Sequence, residues 1–138
     1  MAIICDIDGT IADHGDERGH FEWDKVHTDT PIMPIVRLVT ILHAHHKIIF
    51  VSGREETCYV TTRQWLGKQF PWFTLMNALY MRKEGDNRED TVVKREIYEI
   101  EIKPYANDIE LVLDDRDQVV AMWRDLGLVC LQTRPGLL

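Results

Sequence analysis

Short, strongly apolar runs, each ended abruptly by oxygen-bearing side chains, limit what this chain can fold into. Ala2–Cys5 stops in Asp6-Ile7-Asp8-Gly9-Thr10, Ile48–Val51 in Ser52-Gly53, and Ile109–Leu113 in Asp114-Asp115. A run that is apolar at every position, rather than at every second one, suits a strand covered on both faces. Amphipathic stretches lie between the runs. Ile32, Ile35, Val36, Val39 and Leu42 fall at helical spacing behind Thr28, Asp29 and Thr30 as cap candidates, with Pro31 and Pro34 near the first turn. A second helix is expected through Trp65 and Leu66, and a third from Val93, Ile97 and Ile100. A fourth follows from Val119, Met122, Trp123 and Leu126, stopping at Gly127. Further strands are expected around Thr74–Met81 and Leu128–Gln132. Strands alternating with helices imply a parallel sheet of about five strands, doubly wound.

Length and composition fit one such unit. The chain has 138 residues, which matches a single domain over 1–138 with no internal repeat or linker. Charged residues make up 28% and hydrophobic residues 45%, so wholesale disorder is not expected. No stretch is long and apolar enough for a membrane span, and no signal-peptide pattern opens the chain. Cys5, Cys58 and Cys130 stand far apart with no C-x-x-C spacing, which points away from a disulfide framework or structural zinc and toward the cytoplasm. The net charge of -7 argues against a protein that coats nucleic acid, while leaving room for a local basic site. The segment at about 13–29 is a long excursion after the first strand, placed to cover a site.

Ligands of open α/β sheets sit beyond the carboxyl ends of the strands. There the sequence gathers Asp6, Asp8, Gly9 and Thr10, then Ser52, Gly53 and Arg54, then Asp114 and Asp115. Carboxylates at two neighbouring strand ends repel one another unless a cation lies among them, and hard oxygen donors of this type suit Mg²⁺. Ser52 and the amides beside Gly53 suit phosphate oxygens, and Lys94 can add a point charge. The chemistry assembled is phosphoryl transfer through an aspartyl-phosphate. Asp6 is the expected nucleophile and Asp8 the acid that protonates the leaving alkoxide, then the base that activates water. D-x-D, S-G-R or D-D alone is weak, but their order after successive apolar runs, with a lysine between the second and last, is specific.

These motifs, in this order, resemble those of the haloacid-dehalogenase (HAD) superfamily. More narrowly, the whole chain resembles the 3′-phosphatase domain of phage-type polynucleotide kinase/phosphatase. The residues carrying the likeness are Asp6–Thr10, Gly15–Phe21, Thr28-Asp29 before Pro34, Ser52–Glu55 and Thr62–Trp65. They continue through Arg82–Asp86 with Arg88, Asp90–Lys94, and the long run Asp114–Arg124. The resemblance implies a Rossmann-like HAD core with the excursion after the first strand as a minimal cap. It implies Mg²⁺ held by Asp6, Asp8, Asp114 and Asp115, with the direct ligand of the last two left open. It makes Lys94 and Ser52 catalytic partners of Asp6 and Asp8. Thr10, Arg18, Arg54, Arg82 and Asp90 are the expected substrate-binding set, with Arg18 and Arg54 on the substrate phosphate and Arg82 near the rim.

The implied activity is removal of 3′-phosphates from DNA or RNA ends, as in repair of nicked nucleic acid. A phosphatase of small nucleotides is the alternative, and a non-catalytic phosphate-end binding module a third. No G-x-x-x-x-G-K-[ST] occurs, so no kinase domain is expected, and a separate kinase or ligase is the expected partner, whether the domain is free-standing or excised. The Arg54–Arg63 segment is shorter than the family's loop.

Other features have structural readings. His43, His45 and His46 sit at the expected end of the first helix, where imidazolium complements the dipole. Phe70, Trp72 and Phe73 could stack bases but more simply plug the core. Trp65 and Trp123 lie on packing stripes, and Cys5 is expected buried and inert. Lys83, Arg88, Lys94 and Arg95 form a basic stretch that is either a strand-tracking groove or a solvated face.

Overall fold

The computed structural model describes residues 1–15, 22–106 and 108–136. Strands β1 (Ala2–Cys5), β4 (Lys47–Glu55), β5 (Ala78–Arg82), β6 (Ile109–Asp114) and β7 (Cys130–Gln132) form one sheet in the order β5-β4-β1-β6-β7. Every neighbouring pair is parallel. Helices α1 (Met33–His43), α2 (Tyr59–Gln69), α3 (Asp90–Ile97) and α4 (Asp117–Asp125) make the crossovers. The chain moves outward from β1 to β5, then returns to the other side of β1 for β6 and β7. The reversal lies between β1 and β6, where a crevice opens at the carboxyl ends of the strands.

The unbroken apolar runs are explained by the two faces. Ile3, Cys5, Ile48 and Phe50 point to one side, into a core with Val36, Val39, Trp65 and Leu66 of α1 and α2. Ala2, Ile4, Ile49 and Val51 point to the other, against Val119, Val120 and Trp123 of α4 and Tyr98 and Ile102 beyond α3. Successive side chains alternate across the sheet, and both destinations are dry.

Local chemistry moved three expected elements. Residues 74–77 form a turn, closed by Asn77 N–H on the Thr74 carbonyl (3.0 Å) and by Thr74 N–H on Asn77 Oδ1 (2.8 Å). The expected strand at Thr74–Met81 therefore starts only at Ala78 and reaches Arg82. The third helix passes into a π turn at Tyr98–Ile102, which rotates the stripe. Val93, Lys94, Tyr98 and Ile102 face inward, while Ile100 faces water. The last strand is shorter than expected, Cys130–Gln132.

The excursion after β1 holds a small antiparallel ribbon, β2 (Ala12–Asp13) with β3 (Thr30–Pro31), and a 3₁₀ turn at Trp23–Thr28. Phe70, Trp72 and Phe73 pack around Phe50, and His43 stacks flat on Trp72 at 3.9 Å. The aromatic cluster and the first histidine thus belong to the scaffold. The basic stretch splits: Lys94 turns inward, Arg88 pairs with Asp86 and Glu96, and Arg95 with Glu99. All three cysteines are buried, and burial pushes the Cys5 thiol well above its ordinary value and Cys130 up to about 12. Among the described residues no helix is long and apolar enough to cross a membrane.

Candidate active site

Asp6 leaves β1 at the reversal point, its own N–H bonded to the Leu113 carbonyl of β6 at 2.9 Å. The next residues close a tight turn, with Thr10, Ile11 and Ala12 N–H groups all reaching the Ile7 carbonyl. Gly9 sits at φ +82, and a Cβ there would lie 2.1 Å from Asp115 Oδ2. Only glycine fits, because the turn needs both the left-handed conformation and the close approach of Asp115.

The inner half of the site is a buried cluster of charges. Lys94 Nζ donates to Asp6 Oδ1 (2.6 Å) and Asp114 Oδ2 (3.0 Å). Thr10 Oγ1 donates to the other Asp6 oxygen at 2.9 Å. Asp114 is fully engaged. The Asp115 and Arg116 amides donate to its Oδ1 at 2.8 and 3.4 Å, and the Trp123 indole N–H reaches its Oδ2 at 3.2 Å. Asp115 differs. Its Oδ2 lies 3.5 Å from Arg134 Nε, and its buried Oδ1 has no hydrogen-bond partner among the described residues.

Oxygens of Asp6, Asp114 and Asp115 all lie within 4.8 Å of one another. One buried ammonium faces these three carboxylates. Burial, then the Asp114 charge, pushes the Asp6 carboxyl well above the ordinary carboxylate range; burial and Asp114 raise Asp115 likewise. Burial alone would depress Lys94, but Asp114 and Asp6 outweigh it and hold the ammonium above its usual value. A surplus of buried oxygen donors, one of them an orphaned lone pair, fits a hard divalent cation at Asp6 and Asp115.

The outer half is built around Arg54. β4 slips register against β5 between Ser52 and Glu55, and this bulge aims Arg54 inward, fully buried. Its Nε and Nη2 grip Asp8 Oδ2 and Oδ1 at 3.0 and 2.8 Å. Nη2 also reaches Asp29 Oδ2 at 2.5 Å, and Nη1 donates to Thr62 Oγ1 at 3.2 Å. Trp65 Nε1 holds the Asp29 carbonyl at 2.9 Å. Asp8 remains one-third exposed at the mouth (33%). Ser52, also fully buried, accepts the Arg54 N–H on Oγ at 3.0 Å.

A third group stands beside these. Asp90 begins α3, one turn before Lys94, and is clamped by Arg82 Nη2 (2.5 Å) and Arg116 Nη1 (2.7 Å). Arg82 also ties the Gly53 carbonyl at 2.9 Å and the Asp86 and Arg88 carbonyls. Gly53 in turn abuts Asp90, whose Oδ1 would lie 2.6 Å from a Cβ there.

Set against the sequence-based expectations, the structure brings together Asp6, Asp114, Asp115, Lys94 and Thr10, with Ser52 and Asp8 at neighbouring strand ends. The family resemblance places Asp8 among the metal ligands, yet its carboxylate is turned to Arg54 and stays outside the Asp6–Asp114–Asp115 group. Arg54 and Arg82 were expected on substrate, but their described contacts are Asp8, Asp29 and Thr62 for one, and Asp90 with loop carbonyls for the other. Arg18 lies outside the described residues. Asp29, Thr62, Arg116, Trp123 and Arg134 join the site without having been given a role in it. Trp123 had a readable signal, since it follows Asp114 on the inner stripe of α4. Arg134 had none.

Comparisons with known proteins meet this geometry. The model of the polynucleotide kinase PNKP phosphatase domain matches residues 1–137. The chain belongs to this family. It is thus an HAD-type phosphatase domain of the polynucleotide kinase kind. A described bifunctional polynucleotide kinase/RNA ligase of Autographa californica nuclear polyhedrosis virus is 34% identical over 130 residues, covering 92% of this chain and 18% of that protein. A chain in the Pnkp1/Rnl/Hen1 complex superposes with a TM-score of 0.89 at 32% identity, covering 99% of this chain and 47% of that one. A second, from the Pnkp1/Rnl/Hen1 RNA repair complex, gives 0.90 at 32% identity, covering 99% and 43%. The PNKP-type domain therefore spans less than half the length of these relatives.

Proposed function

We propose that this domain removes 3′-phosphates from polynucleotide ends, with Mg²⁺ and an aspartyl-phosphate on Asp6. The observation that carries the reading is the buried Asp6 carboxylate, joined to Lys94 beside the orphaned Asp115 oxygen. A divalent cation at Asp6 and Asp115 would neutralise the approach of an anionic phosphate. Lys94 holds one Asp6 oxygen and Thr10 the other, so the carboxylate keeps one orientation during attack. Attack forms the bond from Asp6 to phosphorus, and the ester oxygen leaves with its electron pair. Asp8, at the mouth, donates a proton to that alkoxide, then takes one from the water that cleaves the Asp6–phosphorus bond and releases phosphate. Arg54 fixes both Asp8 oxygens from behind. Ser52 accepts from the Arg54 amide and keeps its own O–H for a phosphate oxygen. Asp114, with both oxygens engaged, orients Lys94.

The family supports polynucleotide ends as the substrate class. The repair complex containing a solved relative supports a separate ligase partner, whereas the viral relative unites its described kinase and ligase activities in one protein. A 3′-phosphorylated oligonucleotide assayed with Mg²⁺ and with EDTA tests the reading. Phosphate release in Mg²⁺ alone is the expected outcome. Faster turnover of a 3′-mononucleotide would assign the domain to small nucleotides instead, and activity surviving EDTA would remove the metal role.

A further inference from the structure

We infer that Arg134 binds a phosphodiester of the strand next to the scissile phosphate and thereby sets preference for polynucleotide over mononucleotide, an inference that rests on the function proposed above. Several described cations pair with site carboxylates, but they differ in availability. Arg54 and Lys94 are buried, Arg82 is nearly so, and Arg116 is 35% exposed; all four hold their partners at 3.0 Å or less. Arg134 is 49% exposed, and its Nε lies 3.5 Å from Asp115 Oδ2, beyond the 2.7–2.9 Å of a strong charge-assisted bond. Among the described residues, the guanidinium at the mouth that is most open to a ligand is therefore also the one most loosely held.

Its place is defined by backbone. Thr133 N–H bonds the Asp114 carbonyl (3.0 Å), and Gln132 Nε2 bonds the Asp115 carbonyl (3.0 Å) and Asp117 Oδ1 (2.6 Å). Gly136 packs so close to the Asp117 amide that a Cβ would lie 2.3 Å from it. This strap, leaving β7, lays Arg134 over the turn after the nucleophile, with Nη2 2.9 Å from where a Gly9 Cβ would be. Ser52, Arg54 and Arg82 come from the β4–β5 side of the crevice, whereas Arg134 comes from the β7 side. Beside a carboxylate suited to a metal, a second cation weakens metal binding by repulsion unless an anion lies near both. A phosphodiester leaving the mouth on the β7 side supplies that anion, and an exposed guanidinium is suited to it in charge and fork geometry.

The test compares kcat/KM for a 3′-phosphorylated trinucleotide and a 3′-mononucleotide across a salt series, in wild type, Arg134→Ala and Arg134→Lys. The expected result is that Arg134→Ala lowers the trinucleotide-to-mononucleotide ratio about tenfold and flattens the salt dependence by about one phosphate contact, with partial recovery in Arg134→Lys. An unchanged ratio overturns the inference. So does an equal fall on both substrates with a raised Mg²⁺ requirement, which would make Arg134 a partner of Asp115 alone. Should wild type hydrolyse neither substrate, the proposed function fails, and fluorescence anisotropy with the trinucleotide still decides: about tenfold weaker binding by Arg134→Ala supports the contact, and equal binding overturns it.

Discussion

Lys94 and Arg54 are both buried cations at the carboxyl end of one sheet, each outnumbered by the carboxylates it contacts, and they hold those carboxylates in different ways. Lys94 faces more negative charge than it can balance, with Asp6 and Asp114 in contact and Asp115 beside them. Arg54 sits in a closed network, its fork on Asp8 and its remaining contacts on Asp29 and Thr62. An ammonium works as a point charge, whereas a guanidinium works as a template for direction. The inner half of the site is therefore poised for charge transfer, and the outer half for holding one side chain in one place.

Substitutions should separate these two roles. The largest effect falls on the inner half: Asp6→Asn should abolish turnover, with circular dichroism showing a retained fold. Lys94→Met should also be inactive and should lower stability by about 3–5 kcal/mol in urea unfolding, since it strands buried carboxylates. Asp8→Asn should cost ~10²–10⁴-fold in kcat, the usual worth of acid–base help. Arg54→Lys keeps the charge and loses the fork, so kcat should fall by about 10²-fold or less with little change in Mg²⁺ affinity. If Arg54→Lys instead weakens Mg²⁺ binding as strongly as a change at Asp115, the division into halves is wrong. The smallest effect on turnover belongs to Trp123→Phe, which removes one hydrogen bond from buried Asp114 and leaves a cavity in the core, and should cost about 2–4 kcal/mol of stability.

The inner half also carries a pH dependence of its own. Asp6 and Asp115 are shifted upward by burial, so the metal-free fold binds more protons there than the unfolded chain does. Their contribution is fully present below the unfolded carboxylate pKa and is lost as pH rises through the raised folded values. In EDTA this part of the stability should therefore decline with rising pH. Titrating Mg²⁺ into weakly buffered protein within that window should release protons, and absence of release would dissociate the carboxylates from metal binding.

How much of this was legible in the sequence follows from the physics of each feature. The apolar runs revealed the strands because both faces of a parallel sheet are dry, and the polar residues ending them marked the crevice. The D-I-D-G-T turn was readable since its glycine and carboxylates act at fixed local spacing. Lys94 was readable only through its order among the motifs; a stripe count placed Ile100 inward, and the π turn at Tyr98–Ile102 reversed that. The Arg54 network was not legible, because it depends on a bulge and on Asp29 and Thr62 arriving from distant parts of the chain. Arg134 reaches the mouth solely through backbone bonds of the strap after β7, which no residue pattern announces.

The central claim is that Asp6 becomes covalently phosphorylated during turnover of a 3′-phosphorylated strand end. Its most direct measurement is rapid acid quenching of wild-type protein mixed with an oligonucleotide bearing a labelled 3′-phosphate in Mg²⁺, followed by mapping of the label. The account predicts label on the peptide containing Asp6, and none when Asp6→Asn is added to the same protein. Phosphate release by Asp6→Asn protein at the wild-type rate, with no labelled Asp6 peptide from either protein, would contradict it.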